Sequence, residues 1–535
     1  MTHLSPLEVI SRYPAHDYTL HALFDSRAQA NPAKPFIVFG ERTRSWQEFN
    51  GDIAAAARML LGRGVKKGDR VAIMATNSDA HVLLLFALAR IGAIMVPVNP
   101  EFNAAEARYV MSHAGVCAVA CSADTLAVAR EASADIKPAP WFMMVDAPHD
   151  GLPWLHDLVR AAPAAALPTD VSADDVFAII YSSGTTGFPK GVMHSQRNFV
   201  FSGERQVERV NLQPDDRYLC ILPMFHINAL FYSVAGSVAA GAQLIIVPRF
   251  SASEFWKQAA RSGATVVNVI MAVATILARR PRSEYVPDHQ LRLVSGAPWT
   301  QEAADTFHRE FGIAKLIEGF GMTEIPGAFS NPYDGAHKIG TMGEPGRHPN
   351  RSLPWTQARV VDDDGNDVPD DTPGELVVKI PTMMKGYYRD PEQTAAAFRD
   401  GWFLTGDFVK RDRDGCFHFV ARKKDIIRRR GENIAGAELD RVMALHPAVS
   451  EVAAIAVDAE LGEDEIMAVV VKKPDHALSA EEIRDWCAAR LAAHKVPRYV
   501  VFLDALPHTP THKVAKFVLK KDATLRTRAV DFQKA

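Results

Sequence analysis

The sequence has no long block of basic residues and no cysteine pattern that would build a disulfide or zinc framework. Its 60 lysines and arginines are balanced by 63 aspartates and glutamates, which gives a formal net charge of −3. Because phosphate binding needs clustered basic residues, we exclude nucleic acid as the main partner. The five cysteines are scattered, and no matching Cys/His pair follows Cys117 and Cys121. This usage indicates a reducing compartment, and we expect a cytoplasmic protein.

The sequence also lacks a recognisable targeting or membrane segment. Its N-terminus has neither a basic region nor an apolar core, so no signal peptide is predicted. The stretch from Cys220 to Pro248 contains no Lys, Arg, Asp or Glu and is long enough for a membrane span. It does contain Pro223, His226 and Asn228, among other polar residues. We therefore predict a buried strand, a buried helix and a second strand there, and no integral membrane span.

Strand and helix patterns alternate through the first part of the chain. Residues 36–39, 69–74 and 93–97 read as strands, and residues 45–63 as an alanine-rich helix. This alternation predicts parallel α/β sheets with crossover helices. The pattern Ser251-x-x-Glu254 predicts a capping box that opens a further helix.

The pattern changes near residue 345. A chain of 535 residues is too long for one ordinary core, so two or more domains are expected. Short strands and turns at about 345–421 predict a small β-rich subdomain, and a compact α+β segment follows. The predicted class is therefore α/β, with a large N-terminal domain at 1–423 and a small C-terminal α+β domain at 424–535.

One stretch combines glycine, hydroxyl and basic residues directly after an apolar run. Residues 176–180 read as a buried strand, and Tyr181-Ser-Ser-Gly-Thr-Thr-Gly-Phe-Pro-Lys-Gly191 follows. Gly184 and Gly187 allow the turn to adopt positive φ, and Lys190 adds a positive charge. Such a loop can surround anionic oxygens with N–H donors, although its spacing is not that of a P-loop. On composition alone, a surface turn is an equally good interpretation.

Two further glycine loops follow predicted strands. They are Ser295-Gly-Ala-Pro298 and Glu318-Gly-Phe-Gly-Met-Thr-Glu324. Because ligands of parallel sheets gather at the carboxyl ends of the strands, three such loops in one β/α region point to one pocket.

The 181–191 stretch resembles the phosphate-loop signature of the adenylate-forming family, which includes acyl-CoA ligases, luciferases and the adenylation domains of peptide synthetases. Other motifs follow in the family order, from about residue 45 to residue 516. Phe320–Glu324 is similar to Tyr-Gly-x-Thr-Glu, 295–298 to Gly-Gly-Ala-Pro, and Leu404-Thr-Gly-Asp407 to the Thr-Gly-Asp motif. The resemblance implies a two-step reaction that uses ATP, Mg²⁺ and coenzyme A. A carboxylate and ATP give acyl-AMP and pyrophosphate, and the CoA thiol then gives acyl-CoA and AMP.

The resemblance also implies a role for each motif residue. Phe320 would pack on adenine in place of the usual tyrosine, Thr323 would contact phosphate, and Glu324 would bind Mg²⁺. Asp407 would bind the ribose hydroxyls, with Arg422 beside it. Catalytic roles are implied for Thr186, Glu324, His226 and Lys513. The full nucleotide and CoA set is Ser182, Ser183, Gly184, Thr185, Thr186, Gly187, Lys190, Gly296, Ala297, Pro298, Glu318, Gly319, Phe320, Gly321, Met322, Thr323, Asp407, Arg422, Arg428, Gly431, Glu432 and Lys513.

The C-terminal segment resembles the part of the family that moves between the two steps. Leu506–Lys513 is similar to Pro-x-Thr-x-x-Gly-Lys, with His512 in place of glycine. Lys513 would then be the mobile cation, with Lys516 as the alternative. Lys424 falls at the family's hinge, so a mobile C-terminal domain is expected. The basic residues after the hinge, Arg428 and Arg429, would face CoA phosphates or form a solvated turn, and Gly431, Glu432 and Asn433 follow them.

The same resemblance places the acyl pocket. Pro223-Met-Phe-His226 is similar to the Pro-x-Phe-His stretch in which a histidine or an aromatic residue gates the pocket. The implied substrate residues are Phe225, His226, Ile227, Asn228, Met271 and Gly319. Residues 223–228, 250–256 and 430–434 look most like crotonobetaine/carnitine–CoA ligases. We therefore expect a short or medium acid that is polar, with medium-chain fatty or cyclic acids as alternatives.

Two other functions are compatible with these motifs. An adenylate-forming enzyme with an acceptor other than CoA would share them, and a non-catalytic nucleotide-binding protein could have kept the pocket. A small carboxylic acid is the expected partner in the ligase reading, and a homodimer is left open.

Overall fold

The computed structural model describes residues 3–182, 189–296, 298–335, 337–429, 432–458, 464–474, 476–508 and 514–532, without the side chains of Arg428, Glu432 and Asn433. The chain divides by packing into two units. The first consists of Met1–Ser182, Pro189–Ala358 and Val378–Trp402, and the second of Ser183–Phe188, Arg359–Val377 and Phe403–Ala535. This division does not test where the chain pivots, so the domain boundary at 423/424 remains a prediction.

The first unit contains a nine-stranded sheet whose central strands are parallel. The edge strands next to Pro35–Phe39 and Lys315–Phe320 are antiparallel. All internal neighbours pair in parallel, as the alternating pattern predicted. Across the sheet the strands are Glu344–Pro345, Phe329–Ser330, Lys315–Phe320, Leu293–Gly296, Val266–Asn268, Arg217–Cys220, Gln243–Ile246, Pro35–Phe39 and Arg42–Ser45.

A seven-stranded sheet forms the other half of this unit. Its parallel part ends at Val176–Ser182, which pairs in parallel with Ile94–Pro97. Lys190–Ser195 turns back antiparallel to it, and Gly386–Tyr387 is added at the edge. Across the sheet the strands are Gly386–Tyr387, Lys190–Ser195, Val176–Ser182, Ile94–Pro97, Arg70–Met74, Ala118–Cys121 and Trp141–Met144.

Helices fill the space around these two sheets. Helix Asp79–Arg90 contacts strands of both sheets and has no charged residue between its ends, which explains why it is buried on all sides. Helix Trp46–Gly62 begins at a capping box in which Ser45 and Glu48 satisfy each other's backbone N–H groups. The remaining helices of this unit are Pro6–Ser11, Leu20–Ala30, Ala104–Ala114, Leu126–Ser133, Leu155–Arg160, Gln196–Val210, Ala229–Val234 (π-helical), Ala235–Ala240, Phe255–Ser262, Met271–Arg279, Arg282–Glu284 (3₁₀), Gln301–Arg309 and Pro391–Ala396.

The charge-free stretch from 220 to 248 has the predicted strand–helix–strand structure. Strand 217–220, helical segments at 229–240 and strand 243–246 succeed one another. No helix in the described ranges is long and apolar enough to cross a bilayer. The predicted capping box at Ser251 and Glu254 is wrong. The helix begins only at Phe255, and Glu254 is its N-cap residue without a side-chain cap hydrogen bond.

The second unit is β-rich and then α+β. Strands Gln357–Val361, Gly374–Lys379 and Trp402–Arg411 lie in this order in its first sheet, with Phe417–Arg422 paired to Trp402–Arg411. The short strand Phe398–Arg399 belongs to the Val378–Trp402 segment of the first unit. A hairpin of Ile426–Arg429 and Glu432–Ala435 follows. The last sheet contains Val449–Asp458, Asp464–Lys472, Tyr499–Phe502 and Val530–Asp531. The helices are Lys423–Asp425 (3₁₀), Gly436–Ala444, Ala480–Ala488, Ala493–Lys495 (3₁₀), Lys516–Lys521 and Thr524–Arg528. The predicted α/β class, with its smaller C-terminal α+β part, is confirmed.

Candidate active site

Two of the three predicted loops start side by side. Strands Leu293–Gly296 and Lys315–Phe320 are parallel neighbours, and Gly296 lies opposite Glu318 in their register. Their carboxyl ends therefore lie at the same edge of the nine-stranded sheet, where the sequence predicted a pocket. Pro298 is exposed just beyond this edge. Ala297 lies outside the described residues.

Glu318 connects the two loops through backbone hydrogen bonds. Its carboxylate is fully buried and accepts hydrogen bonds from the N–H of Trp299 at 2.7 Å and of Gly340 at 3.0 Å. Asn331 Nδ2 approaches the other oxygen at 3.4 Å. Burial raises the pKa of Glu318 to about 7, and these hydrogen bonds act in the opposite direction. The side chain therefore fixes the segment that follows Pro298.

The predicted phosphate loop connects two antiparallel strands. Ser182 lies opposite Lys190 in the pairing of Val176–Ser182 with Lys190–Ser195. The predicted residues Ser183, Gly184, Thr185, Thr186 and Gly187 lie outside the described residues. The ends of the loop are thus anchored in the seven-stranded sheet.

Tyr387 links the phosphate-loop lysine to the predicted Mg²⁺ ligand. Its hydroxyl donates a hydrogen bond to Glu324 Oε1 at 2.9 Å. The Lys190 Nζ lies 4.8 Å from the centroid of the Tyr387 ring. Burial raises the pKa of Tyr387, and the Glu324 carboxylate raises it further, so the phenol stays protonated and remains a donor.

His194 holds the backbone next to Glu324. Its Nε2 lies 2.8 Å from the carbonyl oxygen of Thr323, so this nitrogen carries the proton that is donated. Its Nδ1 lies 3.3 Å from Asn198 Nδ2, which also donates to the carbonyl of Met383. Burial lowers the pKa of His194 to about 4, so the ring is neutral near pH 7. This arrangement ties strand 190–195 to the 318–324 loop.

The remaining residues of the 318–324 loop differ in burial. Phe320 ends its strand half-buried, with its ring 6.1 Å from that of Phe329. Met322 and Thr323 are also half-buried, and Glu324 is buried. A methyl group on Gly321 would lie 2.8 Å from the Tyr232 hydroxyl, so only glycine fits there without displacement.

The predicted acyl-side residues combine aromatic and apolar side chains with one amide, that of Asn228. The Phe225 and His226 rings are 4.2 Å apart, and Ile227 is half-buried behind them. Asn228 Oδ1 accepts a hydrogen bond from Asn268 Nδ2 at 3.1 Å. Met271 begins the next helix with 45% of its surface exposed. The structure thus joins Asn228 to the nine-stranded sheet through an amide that the sequence did not single out.

The predicted ribose carboxylate lies in the second unit. Asp407 is fully buried, and its Oδ1 lies 2.8 Å from Nε of Arg422, its cross-strand partner. The Asp407 N–H donates to Thr405 Oγ1 at 3.1 Å, and Thr405 in turn donates to the carbonyl of Leu376. The predicted pairing of Asp407 with Arg422 is therefore present in the fold.

The basic residues after the hinge have different environments. Arg429 Nε lies 2.7 Å from Glu465 Oε2, and its Nη1 donates to two backbone carbonyls, so this guanidinium is engaged within the unit and we leave it out of the CoA site. Lys424 lies in the short 3₁₀ turn, where its carbonyl accepts from Lys520. Lys516 Nζ is held 2.5 Å from Asp440 Oδ2. The described residues do not include Gly431 and Lys513, nor the side chains of Arg428 and Glu432.

Two residues that contact the 318–324 loop, Tyr387 and His194, were not predicted from the sequence. Tyr387 lies in a two-residue edge strand, which is too short to show any period, and nothing local links it to a residue 63 positions earlier. His194 follows the phosphate loop in a strand and reads as an ordinary core histidine. The pairing of strand 386–387 with strand 190–195 places Tyr387 beside the strand that carries His194, and the two side chains bind Glu324 and Thr323.

Comparisons with known proteins identify the family to which these motifs belong. Residues 24–388 match the model of the AMP-binding enzyme family, and residues 438–513 match that of the AMP-binding enzyme C-terminal domain. A sulfoacetate–CoA ligase of Cupriavidus necator is 34% identical over 515 residues, which cover 94% of this chain and 98% of that protein. A crotonobetaine/carnitine–CoA ligase of Proteus mirabilis is 31% identical, with 93% and 98% coverage.

A solved structure supports the same assignment. ATP-bound MatB from Rhodopseudomonas palustris aligns with a TM-score of 0.81 and 31% identity, covering 95% of this chain and 99% of that one. The first family match spans more than half of the chain. The curated relatives are CoA ligases, and the match to each of them covers nearly its whole length. The chain therefore belongs to the AMP-binding enzyme family and is an acid–thiol ligase that joins a carboxylic acid to coenzyme A with ATP.

Proposed function

We propose that the enzyme activates a short or medium acid that carries a polar or charged group, and that the reaction takes place at the edge formed by residues 296–298 and 318–324. The Lys190–Tyr387–Glu324 contacts support the place of the reaction, and the hydrogen bond from Asn268 to Asn228 on the acyl side supports a polar acid. One tyrosine contacts the Lys190 ammonium through its ring and the Glu324 carboxylate through its hydroxyl, and this pair of charges supports the binding of a charged triphosphate with its metal ion.

The roles in the first step follow from this arrangement. A carboxylate oxygen of the substrate attacks the α-phosphorus of ATP, and the bond to the β-phosphate oxygen breaks to release pyrophosphate. Lys190 and the 183–188 loop bind the departing phosphates, and Lys513 stabilises charge on the attacking side. Asp407 accepts hydrogen bonds from the ribose hydroxyls.

Magnesium fits the side chains at this site. No group of three or more His, Cys, Asp or Glu side chains in the described ranges could hold a metal ion unaided. Mg²⁺ is usually bound through one or two carboxylates together with substrate phosphates and water, and Glu324 offers one such carboxylate. When bound, the ion would neutralise phosphate charge. The chain's own contribution is to hold Glu324 in place through Tyr387 and the Thr323 backbone through His194.

In the second step the CoA sulfur attacks the acyl carbonyl carbon of the adenylate. The bond to the AMP oxygen breaks, the thiol proton passes to solvent, and acyl-CoA and AMP are formed. We place CoA near Arg428, Gly431 and Glu432, after the hinge at Lys424. Lys516 is held by Asp440, which supports Lys513 as the mobile cation. A cytoplasmic location and a homodimer remain predictions.

The decisive experiment separates the two half-reactions over a panel of carboxylic acids. Acid-dependent ATP–pyrophosphate exchange measures the first step, and CoA-dependent AMP release measures the second. We expect both, for at least one short polar acid. Exchange without CoA-dependent AMP release would indicate another acceptor, and the absence of both activities would favour a nucleotide-binding protein.

A further inference from the structure

Helix Gln196–Val210 carries two buried arginines, Arg205 and Arg209, and within the described ranges only Arg205 has a counter-charge. Arg205 is 2% exposed, and its Nη1 lies 2.8 Å from Glu208 while its Nη2 donates to Ser330 at 2.7 Å. Arg209 is 6% exposed. Across the described part of the chain, its guanidinium has neither a hydrogen-bond acceptor nor a carboxylate partner, and its Nε is fully enclosed.

An unpaired buried guanidinium is unusual because burying a charge is costly unless that charge is paired. Arg27 offers a comparison within the same unit. It is equally buried, but its Nε and Nη2 donate to the carbonyls of Val238 and Ala239 at 3.2 and 2.9 Å. Arg27 thus shows how the fold satisfies a structural arginine, and Arg209 lacks this arrangement.

Arg209 packs against the loop of the active site. A methyl group on Gly319 would lie 2.6 Å from Nη2 and 2.8 Å from Cζ of Arg209, so the guanidinium touches the Gly319 backbone. Gly319 directly precedes Phe320, which we assign to the adenine. The guanidinium also lies 5.4 Å from the centroid of the Tyr232 ring, and the Tyr232 hydroxyl accepts a hydrogen bond from the N–H of Gly327.

The environment of Arg209 is polar but not acidic. Gln206 Nε2 donates to the Tyr218 hydroxyl, which donates to Asn268 Oδ1. Asn268 Nδ2 donates to Asn228, the polar residue on the acyl side. Burial lowers the pKa of Arg209, and the phenols of Tyr232 and Tyr218 act against this. The two phenols are neutral, so they lie near the cation without neutralising it.

We propose that Arg209 is the far end of the acyl pocket and binds a second anionic group of the substrate, a carboxylate or a sulfonate at the other end of a short acid. This inference rests on the proposed function. A guanidinium binds either group through two parallel N–H···O bonds, and the anion supplies the charge that the fold omits. A cationic head group would be repelled there, and an apolar end would leave the guanidinium unpaired.

The test compares acids of similar length with different ends. The panel is succinate, 3-sulfopropionate, butyrate and 4-(trimethylammonio)butyrate, assayed by kcat/KM in ATP–pyrophosphate exchange and by calorimetric binding to the whole enzyme. We expect wild type to prefer one or both dianions. The stronger of succinate and 3-sulfopropionate identifies the group as carboxylate or sulfonate.

Arg209→Met should lower kcat/KM for the preferred dianion by about 10- to 100-fold, the range expected for losing a hydrogen bond to a charged group. It should leave butyrate nearly unchanged, and Arg209→Lys should retain part of the preference. The matched control is Arg197→Met on the same helix, whose guanidinium is partly exposed and pairs with Asp174. It should not change the order of the acids.

Stability separates this role from a structural one. Because Arg209 has no counter-charge among the described residues, Arg209→Met should keep or raise the melting temperature. The subsite is overturned if wild type binds butyrate or the cationic acid as tightly as both dianions. It is also overturned if Arg209→Met weakens all acids equally while the melting temperature falls. Tighter dianion binding that is lost in Arg209→Met supports the subsite even if exchange is absent, in which case the proposed function has failed and the subsite has not.

Discussion

The hydroxyl of Tyr387 donates to Glu324 Oε1 at 2.9 Å, and the ring of the same tyrosine lies 4.8 Å from the ammonium of Lys190. One side chain on a two-residue edge strand thus touches both charged groups that we assign to the phosphates and to Mg²⁺. The position of Glu324 therefore depends on the pairing of strand 386–387 with strand 190–195.

Tyr387→Phe should raise the Mg²⁺ concentration needed for half-maximal ATP–pyrophosphate exchange, because Glu324 loses the donor that orients it. A loss of about 10-fold in kcat/KM at limiting Mg²⁺ corresponds to one hydrogen bond to a charged group. Saturating Mg²⁺ should restore part of the activity. Tyr388→Phe is the matched control, since the hydroxyl of Tyr388 makes only a 3.4 Å contact with the carbonyl of Ala114. Equal effects of the two substitutions would contradict the role of Tyr387.

The sequence predicts the elements that carry this site better than the contacts within it. Apolar runs followed by glycines predict strands that end just before Tyr181, Ser295 and Glu318, because a buried parallel strand and the loop after it leave a local pattern. The structure has strands at these places and extends them to Ser182, Gly296 and Phe320. The pairing of Asp407 with Arg422 was also foreseen through motif order. The strands and the motifs can be predicted because each is formed by a short run of consecutive residues.

Other features depend on packing that no local pattern contains. Helix 196–210 is rich in charged and polar residues, a composition typical of a solvated helix, yet Arg205 and Arg209 are buried. The capping box at Ser251 failed because the chain forms another turn before the helix begins at Phe255. In both cases tertiary contacts override the local preference.

Buried His194 makes stability fall at acid pH. Its pKa is lowered to about 4 in the fold, against about 6.5 when unfolded. The unfolded chain therefore binds the proton first, and the contribution of His194 is present above pH 6.5 and is lost as the pH falls toward 4. The loss amounts to about 3 kcal/mol over this window. Urea unfolding of wild type and His194→Gln at several pH values should show a smaller loss in the variant. The exposed His149→Gln is the control, and parallel curves for wild type and His194→Gln would refute the assignment.

Glu318 should change the stability with pH in the direction opposite to that of His194. Burial raises its pKa to about 7, above the ordinary glutamate value of 4.5. The folded state then binds the proton more tightly, so this contribution to stability is full below pH 4.5 and is lost as the pH rises to 7. In Glu318→Gln the remaining stability should therefore increase more steeply with pH over 4.5–7 than in wild type. Urea midpoints measured across this window check the sign. A shallower increase in the variant would show that the hydrogen bonds from Trp299 and Gly340 outweigh burial.

Lys513→Ala should impair adenylation far more than thioester formation. Losing one electrostatic donor to a developing charge costs about 10²–10³ in rate. Pyrophosphate exchange should fall by this factor, while thioester formation from supplied acyl-adenylate and CoA should remain close to wild type. Lys521→Ala, on the nearby helix Lys516–Lys521, controls for the loss of a positive charge. A similar loss in both half-reactions would argue against a role limited to the first step.

Gly319→Ala tests the close contact on which the acyl end depends. The added methyl would lie 2.6 Å from Arg209 Nη2 and 2.7 Å from the carbonyl oxygen of Phe329, and the latter belongs to backbone that cannot easily move. We expect a loss of about 1–3 kcal/mol in the free energy of unfolding, together with lower exchange activity. Gly51→Ala is the matched comparison, because Gly51 is exposed inside helix Trp46–Gly62 and its methyl would meet nothing within 4 Å. It should stabilise the enzyme by about 0.5–1 kcal/mol, since alanine orders more easily in a helix. Denaturant unfolding of both variants decides the matter: if Gly319→Ala is as stable as Gly51→Ala, the guanidinium does not press on the Gly319 backbone.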